Sequence, residues 1–356
     1  MKNMFKLLFI LFLLPLTIAA NGKEGKYTKN KIINKEFKVD KNATLKVDNK
    51  YGNIEVVTWN ENKIVIKVTI TTSGNDEEKV QKKLDQINVE FSNSDSKVSA
   101  KTIIDRNSSW KLWRNNNNVN MQINYLIKMP VTNNVVLTNN YGSINLDKLE
   151  GVSTINCDYG SINIGELRNS DNTINIDYTN NSFIDFMKDG KINADYSTLS
   201  VNRSGRTTLN ADYSHITFGQ VIDLKYNCDY GSLKIGDSGN ITGVCDYMHT
   251  TIGKLRGRGD FNIEYGSLKI KEIQNQFKSL KVVSSYTHLK FGIAPNTSFN
   301  ISAHLSYSGL KYNNDKFNFT KQENNFSQKK YEGYYNEDNS GKIITIKSSY
   351  GSVTFL

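Results

Sequence analysis

The amino-acid sequence predicts an all-β protein, in which a parallel β-helix, or solenoid, of about 17–21-residue coils follows an N-terminal β-rich part carrying one short helix. Three observations predict it. A phrase centred on tyrosine recurs at near-constant spacing through the second half of the chain. Within each copy, apolar and polar residues alternate with the period of two that marks a half-buried strand. Asn, Ser, Thr, Ile and Tyr dominate where Ala, Leu and Glu would mark helices.

The chain begins with Lys2 and Lys6 and then runs apolar from Leu7 to Ala20, broken by Pro15 and Thr17 and closed by Ala19-Ala20. This is the pattern of a secretory signal peptide. The run falls short of the roughly 20 residues that span a bilayer. Cleavage after Ala20 is expected, leaving a periplasmic, surface or secreted chain whose residues 21–34 form a flexible segment. No transmembrane segment is expected in the mature chain. The formal charge of +10 includes Lys2 and Lys6; without them 43 basic residues face 35 acidic ones. That balance favours anionic surfaces such as lipopolysaccharide or acidic glycan. No nucleic-acid motif accompanies the lysines, so nucleic acid is not an expected partner.

Residues 35–130 read as a β-rich region. Thr44 to Val47 and Ile64 to Val68 alternate as strands, with an early Tyr51-Gly52-Asn53-Ile54 phrase between them. A helix is expected over 76–88: Asn75 is placed as N-cap with Glu78 closing a capping box, and Val80, Leu84 and Ile87 form one apolar stripe to pack on a sheet. Strands near Lys97 to Ile104 and Val119 to Met129 flank a polar loop carrying Trp110 and Trp113.

Residues 131–356 carry the repeat. Its tyrosines are Tyr141, Tyr159, Tyr178, Tyr196, Tyr213, Tyr230, Tyr247 and Tyr265, spaced 18, 19, 18, 17, 17, 17 and 18 residues apart, and the steps to Tyr286 and Tyr307 are 21. So short a unit cannot enclose a core alone and must bury its apolar side against copies of itself. Ile155, Cys157 and Tyr159 alternate with Asn156 and Asp158; after Gly160-Ser161 the phase slips, and Ile162 and Ile164 become the inward pair. The Gly-Ser step is therefore read as a corner. The tyrosines are expected inside, each stacked on the next at a strand spacing of about 4.8 Å. Cys157, Cys228 and Cys245 stand two residues before a tyrosine, where other copies have Ile176, Ala194 or Ala211, and read as core residues. The long gap from Tyr307 to Tyr350 predicts an insertion or irregular cap over 313–342.

The order of parts resembles the putative adhesin domain family, a domain of unknown function in exported β-helix proteins of the Bacteroidetes type. The features that carry the resemblance are the signal peptide, the Tyr51-Gly52-Asn53-Ile54-Glu55-Val56 strand, a helix-containing insert, a strand ending at Met129-Pro130 and the Tyr-Gly-Ser-Ile copies, over most of 35–356. The resemblance implies a right-handed β-helix with an adhesin-like envelope role, and it carries no catalytic residues to this chain.

Candidate chemistry concentrates in two outward columns. Asn193, Asn210 and Asn227 belong to one; Asp158, Asp177, Asp195, Asp212, Asp229 and Asp246 form the other. Carboxylates one strand spacing apart repel, so cations, backbone N–H groups or water must offset them. The functional reading is a face that contacts a glycan or calcium; the structural reading is an Asn ladder beside Asp-capped turns. No cofactor or metal site is expected. His215, His249 and His288 share one corner register, but His215 and His249 stand two strand spacings apart, roughly 10 Å, too far to share one ion. Trp110 and Trp113 either dock a partner, a sugar or a membrane surface, or fold back to plug the open end of the stack. Arg203, Arg206, Arg256 and Arg258 fall in return segments and look too scattered for a site. With no repeat gathering an odd set of acids and bases, a non-catalytic envelope protein is expected, binding a glycan, a cell surface or another envelope protein. A passive scaffold is the alternative, and a polysaccharide-active enzyme a more distant one.

Overall fold

The computed structural model describes residues 25–105, 119–313 and 315–356. The expected signal peptide and the Trp110/Trp113 loop lie outside them. The described chain is all-β, with one helix and a long sheet system that does not close. Its N-terminal elements are β1 (Tyr27–Lys38), β2 (Thr44–Lys50), β3 (Ile54–Trp59), β4 (Lys63–Gly74), α1 (Glu77–Asp85), β5 (Ile87–Ser94), β6 (Lys97–Ile104) and β7 (Asn120–Pro130). The repeats supply β8 (Asn134–Asn140), β9 (Ser143–Leu149), β10 (Ser153–Asp158), β11 (Ser161–Leu167), β12 (Asn172–Asp177), β13 (Ser182–Asp195), β14 (Thr198–Asp212) and β15 (His215–Leu255). They continue through β16 (Arg258–Glu264), β17 (Ser267–Ile273), β18 (Ser279–Ser285), β19 (His288–Ile293), β20 (Phe299–Ser306) and β21 (Gly309–Lys311). Last come β22 (Phe317–Asn324), β23 (Gln328–Tyr335), β24 (Ile343–Ser349) and β25 (Ser352–Phe355).

Each repeat adds one rung to each of two parallel ladders. In the first, the inward column runs Val47, Leu137, Ile155, Ile174, Ile192, Leu209 and Tyr226 in strict register. In the second it runs Val56, Leu146, Ile164, Ile184, Val201 and Phe218. These side chains are buried and make one continuous apolar core. A one-residue slip would turn every one of them outward, which is why the register is held over so many copies. Cys157, Cys228 and Cys245 are free and buried in this core.

Both ends are finished with antiparallel pairs. At the N-terminal end β5 pairs antiparallel with β6, while β4 lies antiparallel between β1 and β7. Residues 21–34 were expected to be flexible; instead β1 begins at Tyr27 and pairs along its whole length with β4. Its lysines obscured the strand, because Lys29 ion-pairs with Glu77 at 2.7 Å and Lys31 Nζ donates to Asn88 Oδ1 at 2.7 Å, so its inner face reads as polar. The helix is shorter than expected and is capped by Asp76, whose carboxylate accepts the Lys79 N–H; Asn75 Oδ1 accepts from Lys26 N instead. Val80 and Leu84 are buried, and Ile87 already belongs to β5.

The C-terminal end is less regular in sequence than in space. The segment expected to be an irregular cap forms the hairpin β22–β23, which pairs antiparallel on β20. The chain then turns back and inserts β24 between β18 and β20, parallel to both, while β25 enters between β19 and β21. The final repeat in sequence is therefore the penultimate one in the stack. That insertion explains the long step from Tyr307 to Tyr350.

Candidate functional site

The repeat tyrosines stack as expected, but on the outside. Twelve of them (Tyr51, Tyr141, Tyr159, Tyr178, Tyr196, Tyr213, Tyr230, Tyr247, Tyr265, Tyr286, Tyr307 and Tyr350) have φ between +48° and +64°, and their exposure runs from 37% to 55%. Strand alternation alone would send Tyr159 inward after Ile155 and Cys157. The left-handed backbone at the tyrosine breaks that phase and swings the ring out. The corner thus lies at tyrosine, one residue before the Gly-Ser step.

Its backbone remains paired, since Tyr159 N donates to Asp177 O at 3.0 Å and Tyr196 N to Asp212 O at 3.0 Å. Where glycine follows, the neighbouring backbone comes too close for a side chain: a Cβ on Gly160 would sit 1.9 Å from Gly142 O. Where serine takes that place its hydroxyl turns inward and is satisfied, as Ser214 Oγ donates to Asp212 O at 2.8 Å and accepts from Ser197 N at 2.9 Å. Consecutive rings lie 4.8–5.2 Å apart with planes within 10° of parallel. Tyr350 occupies its place between Tyr286 and Tyr307. The stacked faces are covered, so the strip presents ring edges and a row of phenol hydroxyls.

The two outward columns run along one side of this strip, on the strands that lead into the tyrosines. Asn210 donates to Asn193, Asn193 to Asn175, Asn175 to Asn156 and Asn156 to Thr138, at 2.7–3.2 Å. In the acidic column Asp195, Asp212 and Asp229 each accept, through Oδ1, the backbone N–H of the aspartate one repeat on, at 3.0–3.2 Å. The backbone therefore offsets part of the repulsion. Partial burial first, and Asp177 second, push the Asp158 carboxyl above its ordinary range; burial and the charges of Asp229 and Asp195 do the same to Asp212. Asp246 continues the column, and Asn227 lies beside Asp229 in the register of the Asn ladder. On the far side of the corner, the Nδ1 atoms of His215, His249 and His288 share hydrogen bonds of 2.9–3.0 Å with Ser232, Ser267 and Ser352. Among the described residues no group of three His, Cys, Asp or Glu could hold a metal ion. Burial pushes the Cys157 thiol up to about 12 and Cys245 up to about 11, so neither is a ready thiolate.

Against the sequence reading, three of the return-segment arginines converge. Arg203, Arg206 and Arg256 line one open groove of about 870 Å³. They looked scattered because they are distant in sequence, yet each faces a carboxylate from a neighbouring repeat. Arg206 meets Asp189 at 2.8 Å, Arg203 meets Asp185 at 3.5 Å, and Arg256 pairs with Asp237. The signal was the repeat length: 189, 206, 223 and 240 are 17 apart.

No family model and no curated protein matches the chain. Solved structures it is similar to are described as putative adhesins and a putative cell adhesion protein. The one from Clostridium sporogenes is 11% identical, covers 92% of this chain and 99% of its own, and has a TM-score of 0.20. A putative adhesin from Bacteroides fragilis is 10% identical with 92% and 97% coverage and a TM-score of 0.25. One from Parabacteroides distasonis is 9% identical with the same coverages and a TM-score of 0.33. No helix among the described residues is long and apolar enough to cross a membrane.

Proposed function

We propose that the two ladders wind as a right-handed β-solenoid. Its tyrosine–aspartate strip serves as the contact surface of an exported, adhesin-like and non-catalytic envelope protein, which binds a glycan, a cell surface or a protein partner. The observation that carries this reading is the conformation of the tyrosines. A bulky residue at positive φ is a genuine outlier that glycine or asparagine would avoid, and such strain concentrates where function requires it. Stacking of rings returns about 0.5–1.5 kcal/mol per pair, against strain of about 1–2 kcal/mol per residue. Stability alone is therefore a poor reason to keep aromatic rings at twelve corners. What the rings provide beyond stability is a long, periodic surface of edges and hydroxyls beside a row of carboxylates. A passive scaffold is the second reading, favoured by the Asn ladder, which spends its polar groups on itself.

The test compares the full chain with a variant carrying Tyr196→Asn, Tyr213→Asn and Tyr230→Asn, since asparagine tolerates the left-handed corner while removing the rings. A second variant carries Asp195→Ala, Asp212→Ala and Asp229→Ala. Both are screened on a glycan array, matrix proteins and intact cells. Loss of binding in both variants is expected. Unchanged binding would place the contact elsewhere, and an envelope defect on gene deletion without any binding would favour the scaffold. N-terminal sequencing of exported protein tests the expected cleavage after Ala20.

A further inference from the structure

We propose that the groove at the return segments is a second binding site, and that it takes a neutral carbohydrate: a sugar ring laid on Ile222, with hydroxyls bridged to the surrounding Arg–Asp pairs. This site does not depend on the tyrosine strip.

The groove exists because of a pattern across adjacent repeats. The strand register places Gly205 and Gly239 on either side of Ile222, one repeat before and one after. Neither glycine can be replaced by a larger residue in place: a Cβ on Gly205 would lie 2.0 Å from Lys188 O, and one on Gly239 2.3 Å from Ile222 O. Ile222 consequently stands in a trough of bare backbone with 65% of its surface exposed, an apolar side chain surrounded by charge. Phe186 lines the same groove and carries the Arg203 guanidinium 5.4 Å over its ring.

The charges on the walls set the ligand class. Lys188, Arg203, Arg206 and Arg256 line the groove with Asp189, Asp223 and Asp237, and each of the three arginines is ion-paired: Arg203 with Asp185, Arg206 with Asp189 and Arg256 with Asp237. Arg206 is bound to Asp189 through both its backbone N–H and its guanidinium, at 2.7 and 2.8 Å. Asp223 accepts from Asn240 at 2.6 Å. An anionic ligand drawn to any of the three arginines would have to displace the carboxylate already paired with it. A hydroxyl both donates and accepts, so it can join each pair without breaking it. The apolar floor suits the C–H face of a pyranose. Sites of this kind, an apolar base with a few oriented polar groups, are the usual form of small-ligand pockets.

The test is titration of the full chain with neutral gluco-, manno- and galacto-oligosaccharides and with uronate oligomers of matched length. The account expects at least one neutral oligosaccharide to bind with little dependence on salt. Ile222→Asp, at an exposed position that costs the fold little, should weaken it by roughly tenfold or more, and Arg206→Gln should weaken it as well. The Tyr196/Tyr213/Tyr230→Asn variant should leave it unchanged. Binding of uronates alone with steep salt dependence, no binding of any neutral oligosaccharide, or neutral binding unaffected by Ile222→Asp would each overturn the proposal. A sugar lost with the tyrosine variant and kept with Ile222→Asp would support the strip and sink the groove.

Discussion

Replacing Tyr213 with alanine and, separately, with glycine divides the two energies that meet at each corner. Tyr213 lies 4.9 Å from both Tyr196 and Tyr230, with interplanar angles of 1° and 2°, at φ +52°. Alanine removes two stacks worth about 0.5–1.5 kcal/mol each and keeps the left-handed strain, so a loss of about 1–3 kcal/mol is expected. Glycine removes the same stacks but relieves about 1–2 kcal/mol of strain, less about 0.5–1 kcal/mol for the added freedom of the unfolded chain. Taking the middle of each range, the glycine variant should therefore be the more stable of the two by about 0.7 kcal/mol. A double-mutant cycle with Tyr230→Ala should give a coupling of about 0.5–1.5 kcal/mol. Urea unfolding of the full chain reads both quantities. Equal midpoints for the two variants would refute strain at the corner, and zero coupling would refute a stabilising stack.

Other consequences follow from the same geometry. Asp212→Asn keeps an acceptor for Asp229 N–H but removes a charge, so it should stabilise the chain near neutral pH by about 0.5 kcal/mol, screening by solvent keeping the effect small. The sign follows from a folded-state pKa above the ordinary 3.8: the penalty is absent below that pH and grows as pH rises past it, so urea midpoints of variant and parent should converge in acid. Gly160→Ala drives a Cβ into Gly142 O and should cost more than about 2 kcal/mol, whereas Gly309→Ala, with open space around its Cβ, should be nearly neutral by the same unfolding assay. In hydrogen exchange β24 should be slower than β22, although it lies nearer the C-terminus, because β24 is bonded on both sides and β22 only to β23; faster exchange in β24 would contradict its insertion.

The parallel pairing of the repeats was legible because recurrence and alternation report register directly: Ile155, Ile174 and Ile192 fall on one column as their spacing implies. The burial of the three cysteines followed from the same arithmetic. The side on which the tyrosines lie was not legible. Tyr159 continues the inward parity of Ile155 and Cys157, and nothing in the local preferences of an aromatic residue announces a left-handed corner. The strand β1 was hidden by lysines whose partners come from α1 and β5. The insertion of β24 is a non-sequential pairing, and a long gap in a periodic sequence does not distinguish a break from a detour. The groove was hard to read for the opposite reason: its residues do obey the repeat spacing, but seeing the site requires setting Arg206 beside Asp189, 17 positions earlier, as neighbours in adjacent repeats.

The claim on which the rest stands is that the recurring tyrosine forms an outward strip. Hydroxyl-radical footprinting of the free full chain, resolved by residue, measures it directly. The twelve corner tyrosines should be oxidised readily, while Tyr125 and Tyr226, buried in the core, should be protected. Protection of Tyr196, Tyr213 and Tyr230 to the level of Tyr226 would contradict it.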